Sequence, residues 1–354
     1  MAESSDGIYV EAQALKSFCI NLLQKINIDA ASSRCVVDSL VQSNLRGYDT
    51  HGVVRLIPYI TRFRTIDWQM PEVVKNEGST GLIDGHDFMG QVCGRMAMQL
   101  AVEKAETFGT GFVGIKNSNH FGTAAYFSLL AVEKNMIGLA FTNASPRIPP
   151  WGGKQALLGN NPHSYAFPTG KGYPLVLDIS NSVVAAGKIR TAALAGEKIP
   201  EGWAMDKNGN VTRDPKEALN GLLLPIGGHK GYGITLVMDI LCGILTGSGF
   251  ATQIEKIDTT DTAQHVGHLM GAIKIDCFMP LDDFIKRIDA LIDLLKSSQK
   301  APGTTEIFVP GEIEYLTTRK RLKEGIPLQK KVVEALNDLA AELGEESRII
   351  AQRG

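Results

Sequence analysis

The 354-residue chain predicts an α/β protein with helical N- and C-terminal regions, on three observations. Apolar residues recur at helical spacing through the first stretch of the chain. Strand-like and helix-like segments then alternate through the middle, the pattern of a sheet covered by helices. After Pro280 the chain again reads largely as helix.

The first helix is marked by Leu15, Phe18, Cys19, Leu22 and Leu23, and the second by Cys35, Val36, Leu40 and Val41, with Asp29 and Ser32 as candidate caps. Asp49 or Thr50 would cap a further short helix carrying His51 and Arg55, and Pro58 would start a new turn or kink it. Gly81–Gly85 reads as strand and turn, Gln91–Phe108 as helix, Gly111–Lys116 as strand and Asn117–Gly122 as a polar loop. A helix over Ala124–Asn135 and a strand over Ile137–Asn143 follow. Gly and Pro cluster at 146–162 as an ordered loop, and Pro174–Asp178 is a strand leading to a turn and helix. Glu306–Val309 reads as a strand within the helical C-terminal region.

With 36 basic and 38 acidic residues, the chain lacks the broad positive field that drives binding to nucleic acid or to a membrane surface. One Arg or Lys still suffices to bind one carboxylate. The longest apolar stretch, Tyr232–Leu245, is interrupted by Gly, Thr and Asp, so no membrane span is expected. The segment Met1–Gly7 lacks the basic start and apolar run of a signal peptide, and a cytoplasmic protein is expected. Cys19, Cys35, Cys93, Cys242 and Cys277 are scattered and odd in number, without a C-x-x-C pair, which points to reduced thiols.

Four segments carry candidate chemistry. In Asp49-Thr-His-Gly-Val-Val-Arg55, a helix would put His51 and Arg55 on one face. A base titrating near neutrality beside a guanidinium fork suits oxidation of a 2-hydroxy acid, whose hydroxyl must lose a proton and whose carboxylate must be held. The same spacing also suits a solvated face. Asn117-Ser-Asn-His120-Phe-Gly122 falls between a strand and a helix, where α/β proteins place ligands; it equally suits a local cap cluster. Gly227-Gly-His229-Lys230-Gly231-Tyr-Gly233 opens an apolar helix, as a phosphate cradle or merely a tight turn would, and matches neither G-x-G-x-x-G nor the P-loop. Asp178 ends a strand, placed to bond a ribose hydroxyl or to cap the next helix. His86 and His163 are expected in loops, and His265 and His268 as a surface pair with too few neighbours for a metal.

Taken in order, Arg46–Arg55, Asn117–Gly122, Trp151-Gly-Gly, Gly159–Pro162, Leu177–Ser180, Gly187–Ile189, Gly227–Gly233 and Val309–Glu312 resemble the type-2 malate/L-lactate dehydrogenase family along almost the whole chain. That family includes sulfolactate and ureidoglycolate dehydrogenases and piperideine-carboxylate reductases. The resemblance implies a family-specific, non-Rossmann NAD(P)-binding fold, a homodimer, no metal, and NAD or NADP as cofactor. It implies catalytic roles for His51, His120, Arg55 and Thr50, with the division between the two histidines open. It places Thr142, Asn143, Ser145, Asp178, Ile179, Ser180, Lys188, His229, Lys230, Gly231, Gly311 and Glu312 along the cofactor. The expected organisation is a substrate and dimerisation lobe from residues 1–125 and 303–354, with a cofactor lobe over 126–302. The implied reaction interconverts a small 2-hydroxy acid and its 2-oxo acid, malate and oxaloacetate before lactate or sulfolactate. A cyclic 2-imino acid reductase and a non-catalytic NAD(P)-binding protein are the rivals.

Overall fold

A computed structural model describes residues 7–350; the segment read against a signal peptide lies, but for Gly7, outside the described residues. Strand β1 (Gly7–Val10) leads into helices α1 (Ala12–Lys25) and α2 (Ala30–Leu45). The expected apolar positions of both helices are buried, and Asp29 alone caps α2, accepting from Ala31 and Ser32 N–H. Helix α3 (Leu56–Phe63) contains Pro58 in its first turn, where a missing N–H costs nothing and no kink follows.

The sheet begins with β2 (Glu72–Glu77) and β3 (Thr80–Asp84), continues after helix α4 (Gly90–Phe108) with β4 (Thr110–Ser118), and after α5 (Ala124–Val132) with β5 (Met136–Thr142), β6 (His163–Phe167) and β7 (Leu175–Ile179). Helix α6 (Ala186–Ala195), strands β8 (Ala204–Met205) and β9 (Val211–Thr212), helix α7 (Pro215–Leu219) and strand β10 (Leu222–Leu223) form a small satellite around Ile148, Ile189 and Ile199. Helix α8 (His229–Asp239) runs on into a π-helical turn, Ile240–Ile244. Strand β11 (Val266–Lys274), helices α9 (Leu281–Lys296) and α10 (Glu312–Glu324), strand β12 (Ile326–Gln329) and helix α11 (Lys330–Glu342) complete the chain.

The seven-stranded sheet has the order β2-β3-β4-β11-β5-β6-β7. Only β3 and β4 run parallel, joined by α4; the other pairs are antiparallel. This order excludes a doubly wound parallel sheet, in agreement with the missing dinucleotide fingerprint. The largest core lies where α1 to α5 and α11 meet the sheet. Among the described residues no helix is long and apolar enough to cross a membrane.

Several expectations are corrected. Residues 49–55 are not one helix but two single turns of 3-10 helix, Asp49–His51 and Val53–Arg55, broken at Gly52, and neither Asp49 nor Thr50 makes a side-chain cap. Packing enforces the break: a Cβ at Gly52 would stand 2.1 Å from Asn44 Oδ1. Glu306–Val309 forms no strand; the Val309 N–H is bonded by the Glu312 carboxylate (3.1 Å), and the segment lacks a strand ladder. His163 begins β6 and is buried. His268 is no surface residue but is fully buried in β11, the strand at the middle of the sheet. Both neighbouring strands, through Ser118 (2.9 Å) and Thr142 (2.8 Å), satisfy its ring nitrogens.

Candidate active site

The two histidine motifs meet. Asn44 on α2 accepts from Val53 N–H (2.9 Å) and donates to Asp49 (2.7 Å), and Arg321 on α10 holds Asp49 by two bonds of 2.7 and 3.0 Å. This braces the segment that carries His51. Arg55 turns back so that its Nε donates to the Thr50 carbonyl (2.7 Å), which leaves both Nη groups without a protein partner among the described residues. His51 and Arg55 therefore share a side of the chain through a backbone anchor and not through helical spacing.

β4 delivers the second motif; the strand runs through Ser118, so only residues 119–122 form the expected loop. The His120 ring stacks on that of His51 with centroids 5.7 Å apart. Its Nδ1 meets the Tyr59 hydroxyl at 2.6 Å and accepts from Gly122 N–H at 3.4 Å, while Gln91 Nε2 donates to Tyr59 (3.0 Å). With Gln91 donating to its oxygen, the Tyr59 O–H points to His120 Nδ1, which assigns the neutral His120 proton to Nε2. His51 Nδ1 faces the Thr50 hydroxyl at 3.0 Å, a group able to accept. Both imidazoles are desolvated although their residues keep some surface. Burial, then the Arg55 charge, lowers His51 to about 4. Burial, followed by the charges of His51 and Arg55, holds His120 well below the usual imidazole range. Both are neutral bases at pH 7.

The expected cofactor residues divide. The end of β7 and the start of α8 are zipped together, with Ile226 N–H donating to the Asn181 carbonyl (2.9 Å) and Val183 N–H to that of Leu224 (2.9 Å). This places Ser180 beside the Gly-rich turn. Gly227 and Gly228 have positive φ, 62° and 64°, and a Cβ at Gly231 would stand 2.0 Å from the Ile226 carbonyl, so the turn requires glycine. The α8 N-terminus has no side-chain cap and His229 and Lys230 are exposed beside it. Free N–H groups, a helix dipole and a lysine fit a dinucleotide phosphate. Gly187 packs on Thr50, 2.9 Å from a built Cβ to Thr50 Cγ2, which brings the exposed Lys188 next to the histidine site.

Other side chains are committed to structure. Thr142 bonds His268 and the Gly267 carbonyl, and Asn143 is buried between Gly249 and Gly267. Glu312 pairs with Lys296 (2.5 Å), and Gly311 packs against Val176. Asp178 accepts from Ala125 N–H (2.9 Å), so it caps α5, not the following helix; burial raises its carboxyl to about 6. The dipole of α5 is thereby answered from within the protein. Ile179 and Ser145 lie half-buried near the same strand ends. Tyr59, Gln91 and Gln264 were missed from sequence. Tyr59 follows Arg55 by four residues, the helical spacing that was available to find it. Gln264, whose Oε1 accepts from His120 N–H (2.9 Å), has no local signal.

The model of the malate/L-lactate dehydrogenase family matches residues 10–337. The chain belongs to that family. It is 40% identical over 350 residues to a malate dehydrogenase of Pyrococcus horikoshii, covering 96% of each chain. It is 39% identical to a malate/(S)-sulfolactate dehydrogenase of Methanothermus fervidus, over 94% of this chain and 97% of that one. Among solved structures, the sulfolactate dehydrogenase of Methanocaldococcus jannaschii superposes with a TM-score of 0.90 at 37% identity, covering 96% and 98%. Among the described residues no group of three or more His, Cys, Asp and Glu is arranged to hold a metal ion.

Proposed function

We propose that this protein is an NAD(P)-dependent dehydrogenase that interconverts malate and oxaloacetate, with Arg55, His51 and His120 acting on the substrate. The observation that carries this reading is the stacked pair of neutral imidazoles beside a guanidinium whose Nη groups have no protein partner among the described residues. A nicotinamide dinucleotide, held by the α8 turn with Lys230 and by the Ser180 end of β7, supplies the hydride chemistry at C2 when bound. Arg55 holds the C1 carboxylate in two parallel bonds. His120 donates from Nε2 to the C2 oxygen and polarises it. His51, with Nδ1–H turned to Thr50, takes the hydroxyl proton on Nε2 in oxidation and returns it in reduction.

The proposed organisation keeps two lobes, 1–125 with 303–354 and 126–302. The assembly is a homodimer, supported by the apolar face of α8 and its π-helical turn, where Val237, Ile240, Ile244 and Leu245 are exposed. Light scattering checks it, with a monomer mass at micromolar concentration as the contrary result.

The test is oxidation of NADH and of NADPH with oxaloacetate, pyruvate, sulfopyruvate, 2-oxoglutarate and a cyclic 2-imino acid. Turnover of oxaloacetate above the others is expected. Preference for the imine would make the enzyme an imine reductase, and cofactor binding without any turnover would make it a binding protein.

A further inference from the structure

Arg147 lies in the loop after β5, beside Ile148, which packs with Val184, Ile189 and Leu223 in the satellite core. Its backbone is fixed on both sides: its N–H donates to the Leu158 carbonyl (2.8 Å), and its carbonyl accepts from Leu223 N–H (2.9 Å). The side chain is half-buried, and among the described residues its guanidinium has neither a hydrogen bond nor an ion pair. A desolvated cation without a partner is costly, and proteins keep such groups where a ligand supplies the missing charge.

The surroundings define that ligand. Arg147 is held below the ordinary guanidinium pKa by burial first, then by the charge of Arg190; Asp258 opposes this and Arg55 adds to it. Arg190 is brought here by α6, whose Gly187 rests on Thr50. It already has a counter-charge in Asp258, at 3.7 Å. Asp258 is presented by a loop that buried Arg62 pins through the carbonyls of Lys256 (3.0 Å), Ile257 (3.1 Å), Thr259 and Thr262. Arg55 is committed to the C1 carboxylate in the reading above. Among the described residues Arg147 is left without a hydrogen bond or ion pair, in the loop whose Ile148 packs with Ile189 of α6, two residues beyond the Gly187 that rests on Thr50 beside His51.

We propose that Arg147 reads the far end of the substrate, pairing with an anionic group on C3, a carboxylate or a sulfonate, so that dianionic 2-oxo acids are selected over those ending in methyl. The inference rests on Arg55 being the C1 clamp. A planar guanidinium suits both kinds of oxyanion. A methyl group in its place would leave the cation desolvated and unpaired, which is discrimination by penalty as well as by attraction.

The test is kcat/KM for oxaloacetate, sulfopyruvate and pyruvate with the wild type, Arg147→Ala, Arg147→Lys and Arg190→Ala. Arg147→Ala is expected to lower the oxaloacetate-to-pyruvate ratio by ~30-fold or more, chiefly through KM. Its pyruvate activity should be kept or raised, which also reports intact folding. Arg147→Lys should restore part of the ratio, and Arg190→Ala should change it less. An equal loss on both substrates, or an unchanged ratio, overturns the proposal, as does a wild type that prefers pyruvate, while the dehydrogenase reading stands. No turnover of any 2-oxo acid by the wild type overturns both.

Discussion

The proposed mechanism gives His51 and His120 opposite hydrogen-bond polarity. Tyr59 donates into His120, whereas Thr50 is free to accept from His51. In the proposed mechanism His51 is the histidine that keeps a basic nitrogen for the substrate. Reduction needs His51 protonated, and its free-enzyme pKa is about 4, so kcat/KM for a 2-oxo acid should fall as pH rises above that value. His51→Ala should lower kcat by about 10²–10⁴-fold and flatten this profile. His120→Ala should lower kcat comparably and keep the profile; the reverse result would exchange the two roles. Arg55→Lys loses one bond of the fork and should raise KM for every 2-oxo acid by about tenfold, with kcat less affected. A KM for oxaloacetate that did not move would remove Arg55 from the carboxylate.

At the scale of elements, the site depends on segments that have little periodicity of their own. β11 is the central strand, yet its residues Val266–Ala272 are buried on both faces, so no alternation betrays it. Its glycines are there for space: a Cβ at Gly267 would stand 1.7 Å from the Cys242 carbonyl, and one at Gly271 would meet the Phe112 ring at 2.7 Å. A backbone carbonyl cannot swing aside as a ring can. Gly267→Ala should therefore destabilise by about 1–3 kcal/mol or more, read as a lower urea midpoint; an unchanged midpoint would show that the strand has slack. The His51 segment was legible as a motif but not as a shape, because Asn44 and Arg321, distant in sequence, decide where it breaks. α1, α2 and α4 were legible because their apolar stripes face one core.

For the whole molecule, burial of neutral histidines couples stability to pH. His51 and His268, lowered by burial to about 4 and about 3, bind protons in the unfolded chain before they do in the folded one. Stability should therefore rise with pH between these values and about 6.5, and be lost as pH falls through that window. Asp178, raised to about 6, acts in the opposite sense between about 3.8 and 6, and offsets part of the slope. The net expectation is a Tm that drops between pH 6.5 and 4.5. His268→Gln should shallow that drop although it lowers Tm at pH 7. A Tm independent of pH across this range would mean that the histidines are protonated in the fold.

The order of motifs along the chain, read without coordinates, was enough to identify the family and the α/β class and to single out His51, Arg55, His120 and Lys230 as candidates. These depend on residue type and local spacing, which the sequence states directly. Tertiary structure alone decided that His51 and His120 stack, that Tyr59 and Gln91 set the His120 proton, that Asp178 serves α5, and that His268 lies at the middle of the sheet. It also left the Arg147 guanidinium without a hydrogen bond or ion pair among the described residues. Each of these depends on pairing between segments tens to hundreds of residues apart, where packing space and desolvation, not local propensity, select the arrangement.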